Sequence, residues 1–337
     1  MISSDLRHAL ARAVAAAGFD RSVDPGLRPT GTPGQYAASA ALALGGDPRA
    51  TAGTLAAALA GEPWIETAEV TGPGYLTVTV TPEALAAVAD NVIAVGPACV
   101  TSDALAGVTV PAATADDPLT APAWEEARAA LAARLTARLA AAAGAIVREF
   151  PGTERKRPSP QATNDRGTEV ARAVAYAGRD AVLFTLARAI PGRLPRVEQE
   201  IIARHVLDNP AYAVRYAHAR AASEVRWAAG SLAADTIGSR ETGPLPRETT
   251  EMLDALSWLP ERVATAARRG RPDEFARYLE DLASVTVDVL SSASHPGRAG
   301  RGKEAVPGSD RLTLAKAARA GLAAGLGLLE VGAPERL

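Results

Sequence analysis

The chain has 337 residues, long enough for two or three domains with their own cores, and its 47% hydrophobic and 22% charged content is that of a soluble globular protein. A net charge of −2 argues against a general nucleic-acid binder, and one cysteine, Cys99, excludes an internal disulfide or a cysteine-rich zinc site. Residues 1–150 carry 9 Lys/Arg against 15 Asp/Glu, a net −6, and the rest carry 27 against 23, a net +4, so the second half permits phosphate contact without demanding it.

The lone cysteine fits a reducing cytoplasm. The first residues lack a signal-peptide pattern, and no uninterrupted apolar run reaches membrane-spanning length. Helical spacing runs from Asp5 to Ala17, and a second helix is expected from Pro48 to Leu59 with Asp47 as its cap. Glu66–Val70 and Tyr75–Val80 read as strands joined by Thr71-Gly72-Pro73-Gly74. In the second strand Leu76, Val78 and Val80 alternate with Tyr75, Thr77 and Thr79, the pattern of a half-buried strand. The Gly72-Pro73-Gly74 run is a turn, too short for a nucleotide fingerprint.

A linking helix is expected from Pro82 to Val95, then a short strand after Gly107, a long helix from Trp124 to Ala143 and a strand from Ala145 to Phe150. Asp116-Asp117 and Glu125-Glu126 lie near helix starts and read as caps and dipole partners rather than an acid–base pair. Residues 151–167 read as an exposed linker with a basic cluster, Arg155-Lys156-Arg157. From Thr168 the chain reads almost wholly helical, with helices at Val197–Leu207, Pro210–Ala229, Glu251–Gly270, Pro272–Leu290 and from Arg311 onward. Ser291–Ser309 is a Gly/Pro/Ser loop carrying Arg298, Arg301 and Lys303. The fold class is α+β, mainly α: a small N-terminal α/β domain over 1–82, a strand–helix–strand segment with its linker over 83–167, and an all-α bundle over 168–337.

The most informative stretch is Asn209–Arg220, Asn-Pro-Ala-Tyr-Ala-Val-Arg-Tyr-Ala-His-Ala-Arg. Asn209 suits a helix cap and Pro210 the first turn. Tyr212, Tyr216 and Arg220 then share one helix face, with Arg215 beside them. Two flat rings and two guanidinium groups suit unstacked RNA bases and the phosphates between them; the same tyrosines also suit a helix core.

This stretch resembles the helix that opens the anticodon-binding domain of arginyl-tRNA synthetases, which reads Asn-Pro-x-Tyr-Tyr-Val-Gln-Tyr-Ala-His-Ala-Arg. Asp180-Ala181-Val182-Leu183 resembles the Asp-Ala-Leu-Arg segment for which that domain is named, with the arginine lost. Arg311-Leu312-Thr313-Leu314 and the final Ala333-Pro334-Glu335-Arg336-Leu337 resemble the family's closing helix and C-terminus. Gly34-Gln35-Tyr36-Ala37 and Gly72-Pro73-Gly74-Tyr75-Leu76-Thr77 resemble the family's additional N-terminal domain, whose Gly-Pro-Gly-Phe-Leu-Asn strand meets a base of the tRNA D-loop. Tyr75 keeps the stacking ring, while Thr77 replaces an Asn and Gln35 an Asp.

The resemblance implies three regions: 1–82, an additional tRNA-binding-like domain; 83–167, a degenerate remnant of the Rossmann-type catalytic domain; and 168–337, a DALR-type bundle. It implies tRNA contact by Gln35, Tyr36, Tyr75, Thr77, Asn209, Tyr212, Arg215, Tyr216, His218, Arg220 and Arg311. The departures sit where RNA is read, since Arg215 replaces a Gln and Ala213 a Tyr.

In the family, a Pro-Leu-His-x-Gly-His loop holds ATP phosphates; the corresponding residues here are Pro118-Leu119-Thr120-Ala121-Pro122-Ala123. The four histidines are His8, His205, His218 and His295, so none lies between 9 and 204. No Lys-Met-Ser-Lys-like loop precedes Gly167 either. The expectation is a non-catalytic cytoplasmic paralogue that needs no cofactor or metal. It would bind tRNA, with arginine tRNA the species the resemblance suggests, and present it to a separate enzyme. A protein-interaction scaffold that no longer reads RNA is the alternative, and an enzyme with altered chemistry in 83–167 ranks below both.

Overall fold

The computed structural model describes residues 1–19, 23–113, 116–149, 167–193, 197–230, 245–292 and 308–337. The Arg155-Lys156-Arg157 cluster and Arg298, Arg301 and Lys303 lie outside the described residues. The N-terminal unit runs α1 (Ile2–Ala16), β1 (Arg28–Pro29), β2 (Gln35–Ala38), α2 (Ala40–Leu44), α3 (Pro48–Leu59), β3 (Ile65–Thr71) and β4 (Tyr75–Val80). Its sheet has the order β1-β2-β4-β3, with every pairing antiparallel. Asp47 caps α3, accepting from the Arg49 and Ala50 amides at 2.9 and 3.4 Å. The β3–β4 turn backs onto that cap. A Cβ at Gly74 (φ +139°) would come within 2.7 Å of the Pro48 side chain and 2.9 Å of its backbone, so only glycine fits.

The middle segment consists of α4 (Pro82–Val95), a 3₁₀ turn at Gly96–Val100, β5 (Thr109–Pro111), a 3₁₀ turn at Pro118–Thr120, α5 (Trp124–Ala142) and β6 (Ile146–Arg148). Strands β5 and β6 pair in parallel, Thr109 opposite Ile146, with α5 as the crossover that parallel strands require. The stretch Pro82–Val100 is apolar and long enough to cross a membrane by length and composition; in the fold Leu85, Val88, Ala89 and Val92 turn its buried side into the core.

The last region is helical: α6 (Glu169–Ala177), α7 (Arg179–Arg188), α8 (Gln199–Ile202), α9 (Pro210–Gly230), α10 (Arg247–Ser257), α11 (Leu259–Arg269), α12 (Pro272–Ser292) and α13 (Gly308–Leu328). Two helices expected from the sequence are cut. The one over Val197–Leu207 stops at Ile202, because the Asn209 side-chain amide donates to the carbonyls of Ile202 (2.8 Å) and Arg204 (2.7 Å) and draws the chain into a turn. The one over Glu251–Gly270 breaks at Trp258, where Pro260 opens the next helix and Ser257 Oγ donates to the Asp254 carbonyl at 2.7 Å. Helix α13 crosses its neighbours closely through Gly321 and Gly325; a Cβ at Gly325 would sit 2.5 Å from Leu279 Cδ2, and one at Gly321 2.8 Å from Leu256 Cδ2.

The N-terminal sheet docks on the bundle through its inner face. Tyr36 is wholly buried, its ring 4.9 Å from that of Trp258. The backbone N–H of Gly34 donates to Asp254 Oδ1 at 2.9 Å, and Ser3 Oγ to the Ser257 carbonyl at 2.7 Å. Arg7 pairs with Glu261, and Arg268 with Asp24 at 3.0 Å. The middle segment is held by Arg134, whose Nε donates to Glu330 Oε1 at 2.6 Å, and by Arg179, 2.8 Å from Asp117.

Candidate nucleic-acid interface

The expected RNA-contacting residues fall into two places. On the N-terminal sheet, strand alternation puts Gln35 and Ala37 of β2 and Tyr75, Thr77 and Thr79 of β4 on the outer face. Arg28 of β1 joins them, since it pairs with Ala37, which pairs with Thr77. Tyr75 is 44% exposed and closes one side of a shallow cleft of about 330 Å³, whose other walls include Arg28, Ser39 and Leu42. Gln35 Nε2 donates to Thr79 Oγ1 at 3.5 Å, and the hydroxyls of Thr77 and Thr71 lie 3.2 Å apart. Tyr36 departs from the expectation. The period of two that brings Gln35 outward turns Tyr36 inward onto Trp258, so its ring meets the bundle, not RNA.

The second place is α9. Tyr212 and Tyr216 are half-buried, their ring centroids 5.8 Å apart and their planes inclined by 24°. The exposed ring of His205 also stacks on Tyr212, 5.2 Å away at 12°. The result is an offset column of three rings at separations usual for aromatic pairs. His205 escapes sequence pattern because it reaches Tyr212 through a turn rather than along a helix face.

Asn209 and His218 also turn inward. Asn209 is 4% exposed, and its amide is spent on the 202–204 carbonyls rather than on RNA. His218 is 2% exposed, with Nδ1 2.9 Å from the Pro334 carbonyl, so Nδ1 carries the proton and donates. Burial pushes its pKa down, which keeps the ring neutral at pH 7. This histidine anchors the C-terminal tail over α9. The same tail is held by Arg319, 2.7 Å from Glu335, and by the Gly332 N–H, which donates to Asp180 Oδ1 at 3.1 Å.

The cations of this face are partnered. Arg215 lies 3.4 Å from Asp180 Oδ2, and its Nε is buried with no hydrogen-bond partner among the described residues. Arg220 and Arg311 converge on Glu224, at 3.1 and 2.9 Å. The Arg220–Glu224 pair is legible as an i,i+4 spacing; the Asp180 and Arg311 partnerships are tertiary. Each guanidinium is thus partnered and partly exposed, although Arg220 and Arg311 share one carboxylate, so the three cations face two acids.

In the middle segment Asp117 caps the Pro118–Thr120 turn by accepting from the Leu119 N–H at 3.1 Å, and Glu125 and Glu126 occupy the first turn of α5. The Arg179 side chain beside Asp117 holds its carboxyl below the usual range. Among the described residues no group of three His, Cys, Asp or Glu side chains could hold a metal ion.

The chain thus joins a helical bundle, in which α9 presents stacked tyrosines beneath a C-terminal tail, to a small docked sheet domain. The chain is arginyl-tRNA synthetase-like, and residues 214–337 match the family described as DALR anticodon binding domain. It is similar to the arginine–tRNA ligase of Frankia alni, 34% identical over 163 residues, covering 48% of this chain and 29% of that protein. The arginine–tRNA ligase of Kineococcus radiotolerans is 36% identical over 163 residues, with coverages of 48% and 29%. The chain therefore spans about 29% of the length of these curated relatives. In fold it is similar to the arginyl-tRNA synthetase of Thermus thermophilus, with a TM-score of 0.70 at 15% identity, covering 100% of each chain.

Proposed function

We propose that this chain binds tRNA, arginine tRNA foremost, without charging it, and presents it to a separate enzyme in the cytoplasm. The observation that carries the reading is the DALR-type domain with the Tyr212–Tyr216 pair at its surface. The open sheet face with Tyr75 supplies a second place for RNA. Non-catalysis rests on the Pro118–Ala123 segment, which carries neither of the two imidazoles that the family resemblance leads one to expect. A mobility shift with total tRNA at low salt is the test. A retarded complex that weakens in the Tyr212→Ala/Arg215→Ala double variant supports binding; no shift, or one indifferent to that variant, defeats it. Arginine-dependent exchange of pyrophosphate into ATP would overturn the non-catalytic half.

A second reading, a protein-binding scaffold that no longer reads RNA, is favoured by the ion-paired guanidinium groups and by the exposed side chains of Ile201, Val206 and Leu207 beside the ring column. Pull-down from lysate with and without nuclease separates the two, since a partner retained after RNA is digested supports the scaffold.

A further inference from the structure

We propose that His205 is the outermost ring of a base-stacking platform, and that an unpaired nucleotide of RNA extends the column by laying its base on the free face of His205 with its phosphate near Arg204. The proposal rests on the tRNA-binding reading and adds to it a residue that no motif assigns. Tyr212 is the shared ring, stacked with both His205 and Tyr216. A base therefore cannot lie between Tyr212 and either neighbour without parting the stack. His205 is exposed and ends the column, so its outer face is where the next ring can go.

The platform is built rather than incidental. The turn that carries His205 is held from within by Asn209, whose buried amide donates to the carbonyls on either side of Ala203, at 2.8 and 2.7 Å. The ring is thus positioned before any ligand arrives, which reduces the ordering that binding requires. Arg204, the preceding residue, is exposed and makes no ion pair among the described residues, unlike Arg215 and Arg220. A cation next to a flat exposed ring is the pairing that single-stranded nucleotides use, base to ring and phosphate to guanidinium.

The test uses the full chain and in-vitro-transcribed arginine tRNA, titrated at several salt concentrations, with circular dichroism as a check on folding. His205→Ala should weaken binding by about five- to a hundredfold, the range one base–ring stack carries. His205→Phe, which keeps the ring and loses the nitrogens, should bind within about twofold of the parent. Arg204→Gln should reduce the slope of log affinity against log salt by about one. His205→Ala binding as tightly as the parent, or His205→Phe as weak as His205→Ala, overturns the proposal. If Tyr75→Ala weakens binding while His205→Ala does not, the tRNA reading stands and only the platform fails. If the parent chain binds no tRNA at all, both fall. Loss of a captured protein partner in His205→Ala, with RNA affinity unchanged, would assign the surface to protein instead.

Discussion

The hydroxyl of Tyr36 lies 2.7 Å from Oγ of Ser257, 221 residues further along the chain. Ser257 Oγ gives its own proton to the Asp254 carbonyl, so Tyr36 is the donor of this bond. The ring beneath it packs on Trp258, and both are almost wholly buried. Tyr36→Phe deletes one hydrogen bond and should lower stability by about 1 kcal/mol. Tyr36→Ala also empties the ring's place and should cost about 3–5 kcal/mol. Denaturant melts measure both; equal effects would mean the ring contributes nothing to docking.

Asp254 makes that docking pH-sensitive. Burial is the largest influence on its carboxyl and raises its pKa from 3.8 to about 6, against the Gly34 N–H and the Arg262 charge, which favour the ionised form. The folded state therefore holds the proton more tightly than the unfolded chain. The contribution is fully present below about pH 4 and is lost as pH rises through about 6, worth roughly 3 kcal/mol at most. Asp254→Asn keeps an oxygen for Gly34 and removes the charge. The difference in melting temperature between parent and variant should grow in the variant's favour from pH 4 to 7; a constant difference would refute the assignment.

His218 tilts the other way. Its pKa is lowered by burial, so the unfolded chain takes up the proton first. The stability it supports is present above the ordinary histidine value of about 6.5 and declines as pH falls below it. His218→Gln should blunt that decline. The expected readout is hydrogen exchange in the tail around Pro334, rising in the parent between pH 7 and 5 and rising less in the variant.

Gly325 sets two effects against each other. Alanine is the better helix former by about 1 kcal/mol. A methyl 2.5 Å from Leu279 Cδ2 must push α12 and α13 apart, at about 1–3 kcal/mol. Gly325→Ala should therefore be net destabilising, and Gly325→Ala with Leu279→Ala should recover part of the crowding term. A more stable single variant would show that the crossing is looser than the contact implies.

Asn209→Ala strips two carbonyls of their donor and should cost about 1–3 kcal/mol. Exchange protection over residues 202–209 should fall while that of α12 is unchanged. Unaltered protection would deny Asn209 its hold on the turn.

Much of this fold is legible in the sequence where one physical signal acts alone. Asp47 before Pro48 marks the start of α3 within the residue, and the alternation from Tyr75 to Val80 gives β4 and its two faces. The errors lie where a distant partner overrides a local pattern. The 197–207 stretch has helical spacing, but the Asn209 amide competes for its carbonyls. The strand Gln35–Ala38 has four residues, too few for alternation to stand out, and Tyr36 looks like a surface ring until Trp258 is brought beneath it. The candidate interface follows the same division. The shared face of Tyr212 and Tyr216 follows from the period of the helix, whereas His205 and the carboxylates of Asp180 and Glu224 arrive through tertiary contacts.

The alternation along β2 has a consequence for assembly. Sliding that strand by one residue against β4 would swap its sides, thrusting the Gln35 amide or the Ala37 methyl at Trp258 and leaving the phenol of Tyr36 in water. The mispaired sheet could neither seat on the bundle nor show its proper outer row. Attachment to the helices thus acts as a proofreader of strand alignment, admitting only the pairing in which both sides are correct at once.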